Sequence, residues 1–166
     1  MADPSAPSAF ASALPVVIGG LLAIGGGAAA QLITYVLAEK REYRNLRRER
    51  MEAFVKALFA DRQWICDRLD TMVFRNEDHN LPSPLSEAQM LQRLHFPELA
   101  HDLKSIGEKQ VALIAYIGEQ RVIRMQKSVR DWAQIYKAQT FREVFEPYSD
   151  AIYAATAKCG DLLDSR

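Results

Sequence analysis

Between Asp3 and Glu39 the chain runs for 35 consecutive positions without a charged side chain, while every other charge of its 21 basic and 21 acidic residues lies from Glu39 onward. Within that stretch, Leu14 to Ala38 is an apolar run of 25 residues. About 20 helical residues cross a hydrocarbon core roughly 30 Å thick, so residues 14–38 are expected to form a single transmembrane helix with some tilt. Pro15 falls in its first turn, where a missing N–H costs little. Residues 1–13 are rich in Pro, Ser and Ala, hold too little apolar surface to pack, and are expected to be a disordered extracytoplasmic tail.

Directly after the span, residues 39–50 hold six basic side chains (Lys40, Arg41, Arg44, Arg47, Arg48, Arg50) and three acidic ones (Glu39, Glu42, Glu49), whereas the other flank has only Asp3 and the terminal amine. Lys and Arg are retained on the cytoplasmic side. The expected topology is therefore N-terminus outside and C-terminal domain in the cytoplasm, as a single-pass protein of the plasma membrane, here a bacterial inner membrane. The same six cations leave the bilayer at headgroup level, where each near-surface charge contributes about 1 kcal/mol toward anionic lipid. They form a candidate lipid-headgroup site, although orientation alone also accounts for them and the interleaved glutamates weaken it.

Two other readings of the apolar stretch are weaker. A cleaved signal peptide would use Leu14 to Ile24 as its apolar region and Ala28-Ala29-Ala30 as its cleavage site. It lacks the positive start such peptides carry, and Leu32 to Leu37 continue the apolar run past the cut. A dinucleotide-binding turn would use Gly25-Gly26-Gly27-Ala28-Ala29-Ala30, but that fold needs a second strand ending in an acid about 20 residues on. The chain there, Arg44 to Phe59, is charged and helical in period. No Gly-Lys-Ser/Thr follows the glycines, which excludes a P-loop.

In a membrane helix, Gly19, Ala23, Gly27 and Gln31 fall four apart on one stripe of small residues closed by an amide. Small side chains allow close helix approach and a Gln can hydrogen-bond across the contact, so these four are the candidate helix–helix contact of a homo-oligomer. Glycine is also simply common in membrane helices.

From Glu39 no Pro or Gly intervenes until Pro82, and Phe54, Leu58, Ile65, Leu69 and Met72 recur at helical spacing. The anchor is expected to run on as one helix to about Phe74, through the basic juxtamembrane segment 39–50 and into the cytosolic domain 51–166. Asn76 to Pro84 reads as a loop. A second helix is expected from Ser86, whose Ser-Glu-Ala-Gln has capping-box form, to about Phe96. Pro97 opens a third, with Leu99, Leu103 and Ile106 on one side and Gly107 ending or bending it. Val111, Ile114, Gly118, Val122, Met125, Val129, Trp132 and Tyr136 form the next stripe, and Phe141, Phe145, Tyr148, Ile152, Ala155, Cys159 and Leu162 the last, broken or kinked near Pro147. No segment alternates with period two. The expected fold is all-α: one N-terminal transmembrane helix continuing into a cytosolic antiparallel helical bundle or short coiled coil.

Chemistry-bearing motifs are sparse. Glu98-Leu99-Ala100-His101 is one Glu-x-x-His pair, where carboxylate-bridged di-iron bundles need two plus further glutamates. His79, His95 and His101 have no close ligand spacing, Cys66 and Cys159 no C-x-x-C arrangement, and Asp67 with Asp70 reads as a solvated face. No nucleophile elbow is present. No catalytic residue, metal or cofactor is therefore expected. Past residue 50 the chain holds 15 basic and 17 acidic side chains, no footprint for nucleic acid. These features point to a non-enzymatic membrane-anchored scaffold, adaptor or regulator whose partners are the bilayer, a further copy of itself and a cytosolic protein. The alternative is an oligomeric pore-forming or membrane-perturbing protein, disfavoured because Gln31 and Thr34 offer little to line a conducting path.

Overall fold

The computed structural model describes the backbone of residues 9–164 and the side chains of residue 31 and of residues 34–163. All regular elements among the described residues are helical: α1 (Ala9–Leu69), a π-helical turn (Asp70–Phe74), α2 (Leu85–His95), a 3-10 turn (Pro97–Leu99), α3 (Ala100–Gln126), α4 (Val129–Ile135) and α5 (Ala138–Asp164). The chain divides into two units, residues 1–46 and 47–166.

In the first unit, the backbone is helical from Ala9, ahead of the boundary expected after residue 13. Residues 1–8 of the expected tail lie outside the described residues. So do the side chains of 14–30, 32 and 33, which make up most of the expected span. Among the described residues no helix is long and apolar enough to cross a membrane. Tyr35, Val36, Leu37, Tyr43 and Leu46 are all exposed on α1.

The second unit is a bundle whose directions follow from paired contacts. Phe54 meets Phe96 across 6.1 Å and the Leu85 N–H reaches Asp61, so α2 runs antiparallel to α1. Arg47 pairs with Glu98 and Asp61 with Gln110, which makes α3 parallel to α1. Asp102 pairs with Lys158 and Tyr116 meets Phe141, so α5 returns antiparallel to α3. The order is up, down, up, down, with α2 a short leg and α4 lying in the connection between α3 and α5.

Phe54, Leu58, Ile65 and Leu69 are buried as their spacing predicts. Beyond them Val73 is buried and Met72 only half-buried. The i→i+5 winding of the π turn keeps the position four residues on closer to the core face than the one three residues on. The helix closes at Asn76, which adopts φ 59°, and the Glu77 N–H bonds the Thr71 carbonyl at 2.9 Å. Asparagine tolerates this left-handed backbone better than most residues.

Three local expectations are corrected. α2 begins at Leu85, one residue before the predicted Ser86, and makes no capping box; the Ser86 hydroxyl instead donates to the Ser83 carbonyl at 2.9 Å. Gly107 neither ends nor separates a helix, since α3 continues through it to Gln126. The buried face of α3 is Leu103, Ile106, Gln110, Leu113 and Ile117, whereas Val111, Val122, Met125 and Val129 of the predicted stripe are exposed. Steps of three and four fit either of two adjacent faces of one helix. The true face was obscured because a glutamine occupies its centre. That stripe is also interrupted in backbone, because Lys127 is extended and Ser128 caps α4 by accepting from the Asp131 N–H at 3.2 Å. The α5 stripe is as expected, with Tyr148, Ile152, Ala155 and Cys159 buried, and α5 runs through Pro147 unbroken.

Truncating the two faces of α3 separates these registers. Leu113→Ala is expected to destabilise the fold by about 2–5 kcal/mol and Val111→Ala by no more than about 0.5 kcal/mol, measured by denaturant unfolding followed by circular dichroism.

Candidate functional site

The α1 stripe leaves a gap between Leu58 and Ile65, and the residue that fills it is Asp61, fully buried. A carboxylate in a packed interior is costly unless its oxygens are satisfied. Here donors arrive from every side. The Ser83 hydroxyl reaches Oδ1 at 2.6 Å and the Leu85 N–H reaches it at 3.2 Å. Gln110 Nε2 donates to both oxygens, at 2.8 and 2.7 Å, and the Tyr148 hydroxyl donates to Oδ2 at 2.5 Å. Ser83 Oγ in turn accepts from Gln110 Nε2 at 3.0 Å and from the Leu85 N–H at 3.2 Å.

Every partner is a donor, as an acceptor-only carboxylate requires. Among the described residues no Lys or Arg forms an ion pair with Asp61. Neutral dipoles from the α2 entry, α3 and α5 therefore compensate it. Burial, followed by the charge of Asp61 and the hydrogen bond to it, holds the Tyr148 phenol well above its ordinary value and keeps it protonated as a donor. With Asp61 and Tyr148 fully buried and Gln110 nearly so, no substrate reaches this cluster. Its chemistry is to fix four segments to one another. It also caps α2: the two oxygens that take the Leu85 N–H, from Asp61 and Ser83, do the work assigned by sequence to Ser86.

A second polar cluster lies where α1 ends. The Trp64 indole N–H donates to the Leu81 carbonyl at 3.0 Å and the ring stands edge-on to His79. Arg68 stacks on Trp64 at 5.1 Å while its Nη1 donates to the His79 carbonyl at 3.2 Å. Arg121 of α3 pairs with Asp78 at 2.6 Å. The loop 76–81 is thus pinned to α1 and α3 by two guanidiniums.

An open apolar groove of about 300 Å³ runs between α1 and α5, lined by Met51, Val55, Thr156, Cys159 and Leu163 among others. Both cysteines are free. Burial pushes the Cys159 thiol up to about 11, with Asp102 adding and Lys158 opposing. Burial likewise raises Cys66, against the pull of Arg62. Both are poor nucleophiles at neutral pH.

The residues singled out by sequence are placed as follows. Gly19, Ala23 and Gly27 lie outside the described side chains, and Gln31 is exposed. Lys40, Arg41, Arg44, Arg48 and Arg50 are exposed on α1, Arg48 in an i,i+4 pair with Glu52 at 2.9 Å. Arg47 differs, being half-buried and paired at 3.0 Å with Glu98, so it ties α1 to the α3 entry. That pairing also occupies the carboxylate of the Glu-x-x-His motif. Among the described residues no group of three or more His, Cys, Asp or Glu is placed to hold a metal ion. The chain matches no family model, no curated protein and no solved structure.

Sequence reasoning missed Asp61 and Gln110 because each was passed over as polar. The available signal was position: each fills the gap in an apolar stripe, between Leu58 and Ile65 and between Ile106 and Leu113.

Removing the acceptor leaves the Ser83 and Tyr148 hydroxyls without the carboxylate they donate to, and the Leu85 N–H and Gln110 with Ser83 Oγ alone. Asp61→Ala is expected to cost about 3–5 kcal/mol and Tyr148→Phe about 1–2 kcal/mol, and the double variant should be less destabilised than the sum, in urea unfolding of the full chain in neutral detergent. Because the folded-state pKa of Cys159 is raised from the ordinary 9.0 to about 11, the protonated thiol favours the fold. Its contribution is complete below pH 9 and is lost as pH rises through 11. The fall in stability across that window should be shallower in Cys159→Ala.

Proposed function

We propose that this chain is a single-pass membrane-anchored helical scaffold, adaptor or regulator, with its N-terminus outside and its bundle in the cytoplasm. The observation that carries the reading is continuity. Residues 9–38 of the uncharged stretch and the basic segment 39–50 belong to the same helix, α1, whose last turns form the first leg of the bundle. An anchor of that composition suits the hydrocarbon core, and the cations after it set the orientation. Lys40, Arg41, Arg44 and Arg50, all exposed, suit contact with anionic headgroups, whereas Arg47 is engaged within the bundle.

A role in binding is favoured over catalysis by where the polar chemistry is spent. The densest cluster, around Asp61, is sealed, and the two thiols are held protonated. The bundle keeps apolar side chains on its outside instead: Met90 and Leu94 on α2, and Val111, Val122 and Met125 on α3. Such residues are the natural contact points for a cytosolic protein partner, with the anchor concentrating the bundle at the membrane.

The topology is tested by single-cysteine labelling in a Cys66→Ala, Cys159→Ala background. On intact cells an impermeant maleimide should label Ser5→Cys and not Ser165→Cys, which should react only after lysis; the chain should also resist alkaline carbonate extraction. Release by carbonate, or the opposite labelling pattern, contradicts the proposal.

A further inference from the structure

We propose that Arg68, Arg121 and Arg124 form a binding site for a phosphate dianion beside the loop 76–81. The site follows from three independent features of the end of α1 and the second half of α3, and it does not depend on the membrane reading.

The first is placement. Arg68 holds the His79 carbonyl and Arg121 the Asp78 carboxylate, so the two guanidiniums sit on successive residues of one loop. Arg124 follows Arg121 by three positions on α3, which puts it on the same helix face one turn further.

The second is charge. Asp78 is the only carboxylate in an ion pair with any of the three arginines among the described residues, and its side chain is 70% exposed. Of the acids close by in sequence, Asp70 pairs with Arg75, while Asp67 accepts from Gln63 and Asp131 from Ser128. Three guanidiniums against the two carboxylates of the loop, Glu77 and Asp78, leave net positive charge, which a bound anion balances. Burial and the nearness of Arg121 together lower the Arg68 pKa, a crowding that a bound anion relieves.

The third is unspent donors. The Nε atoms of Arg68, Arg121 and Arg124, the His79 Nδ1 and the Trp132 Nε1 are all shielded and have no hydrogen-bond partner among the described residues, and Trp132 is only 5% exposed. Shielded donors without partners are costly. Arg68 and Arg124 lie over the faces of Trp64 and Trp132, at 5.1 and 5.9 Å. Stacking engages the face of a guanidinium and leaves its in-plane N–H groups free of the ring, the edge that matches phosphate oxygens in pairs. All three arginines are half-buried, so each is fixed in place and still reachable.

Trp64 and Trp132 are the only tryptophans of the chain, so indole fluorescence reports on this cluster directly. The full chain in neutral detergent is titrated with inorganic phosphate and with glycerol 3-phosphate at constant ionic strength, with chloride and acetate as controls. A saturable change with either phosphate compound and none with the controls is expected. Tighter saturation by glycerol 3-phosphate assigns the site to monoesters, and the reverse assigns it to the free ion. Arg124→Gln removes no hydrogen bond or ion pair among the described residues, so it should fold as the parent does and bind about tenfold more weakly. Arg68→Gln combined with Arg121→Gln should abolish the change with the far-ultraviolet spectrum retained. No saturable change with either phosphate compound, equal binding of acetate, or unaltered affinity in Arg124→Gln overturns the proposal.

Discussion

A single carboxylate at the centre of the bundle sets the terms on which its helices meet. Asp61 is fully buried and pairs with no cation among the described residues, so the fold must deliver hydrogen-bond donors to it. They come from the loop before α2, the first N–H of α2, the middle of α3 and the middle of α5. Each has to arrive at one point in space within hydrogen-bonding distance. Apolar contacts such as Phe54 on Phe96 tolerate a shift of a residue along the helix; this network does not. An unpaired donor or acceptor left in that interior incurs the desolvation cost of the group with nothing to offset it. The network therefore selects one register among the several that apolar stripes alone permit.

The choice is visible in α3. Its apolar residues would allow either the face of Val111, Val122 and Met125 or that of Leu103, Ile106, Leu113 and Ile117 to turn inward. Only the second carries Gln110 to the Asp61 carboxylate, and that is the face buried. The same logic governs the start of α2. Its first N–H is shared between Asp61 of α1 and Ser83 just before the helix, so α2 is positioned by the bundle as much as by its local sequence. Salt bridges at the periphery, Arg47 with Glu98 and Lys158 with Asp102, agree with this register and add little by themselves, being partly exposed.

Much of the fold was legible because apolar periodicity reports burial directly. The stripe of α5 from Phe141 to Leu162, the inward residues of α1 and the loop opening at Asn76 all follow from spacing and turn chemistry. What could not be read was whatever depended on a residue distant in sequence. Ser86 has the right neighbours for a cap, yet Asp61, 24 positions before Leu85, supplies one of the acceptors that Leu85 uses. Gly107 reads as an end or a bend, but α3 continues through it to Gln126. Arg47 belonged by composition to the juxtamembrane cluster, and only the fold brings Glu98 to it. The arginine cluster at the end of α1 is likewise assembled from residues 68, 121 and 124, whose spacing in sequence announces nothing.

Function divides along the same line. In the function proposed above, anchoring and orientation would rest on a local property of the chain, the contrast between residues 4–38 and 39–50, and partner binding on surfaces that exist only once the bundle is locked. The central claim is that Asp61 does the locking. Hydrogen exchange read by mass spectrometry, comparing the full chain with its Asp61→Asn variant, tests it most directly. The account predicts that protection falls together in peptides covering the start of α2, the middle of α3 around Gln110 and the middle of α5 around Tyr148. Loss of protection confined to the α1 turns around residue 61, with the other three segments unchanged, would contradict it.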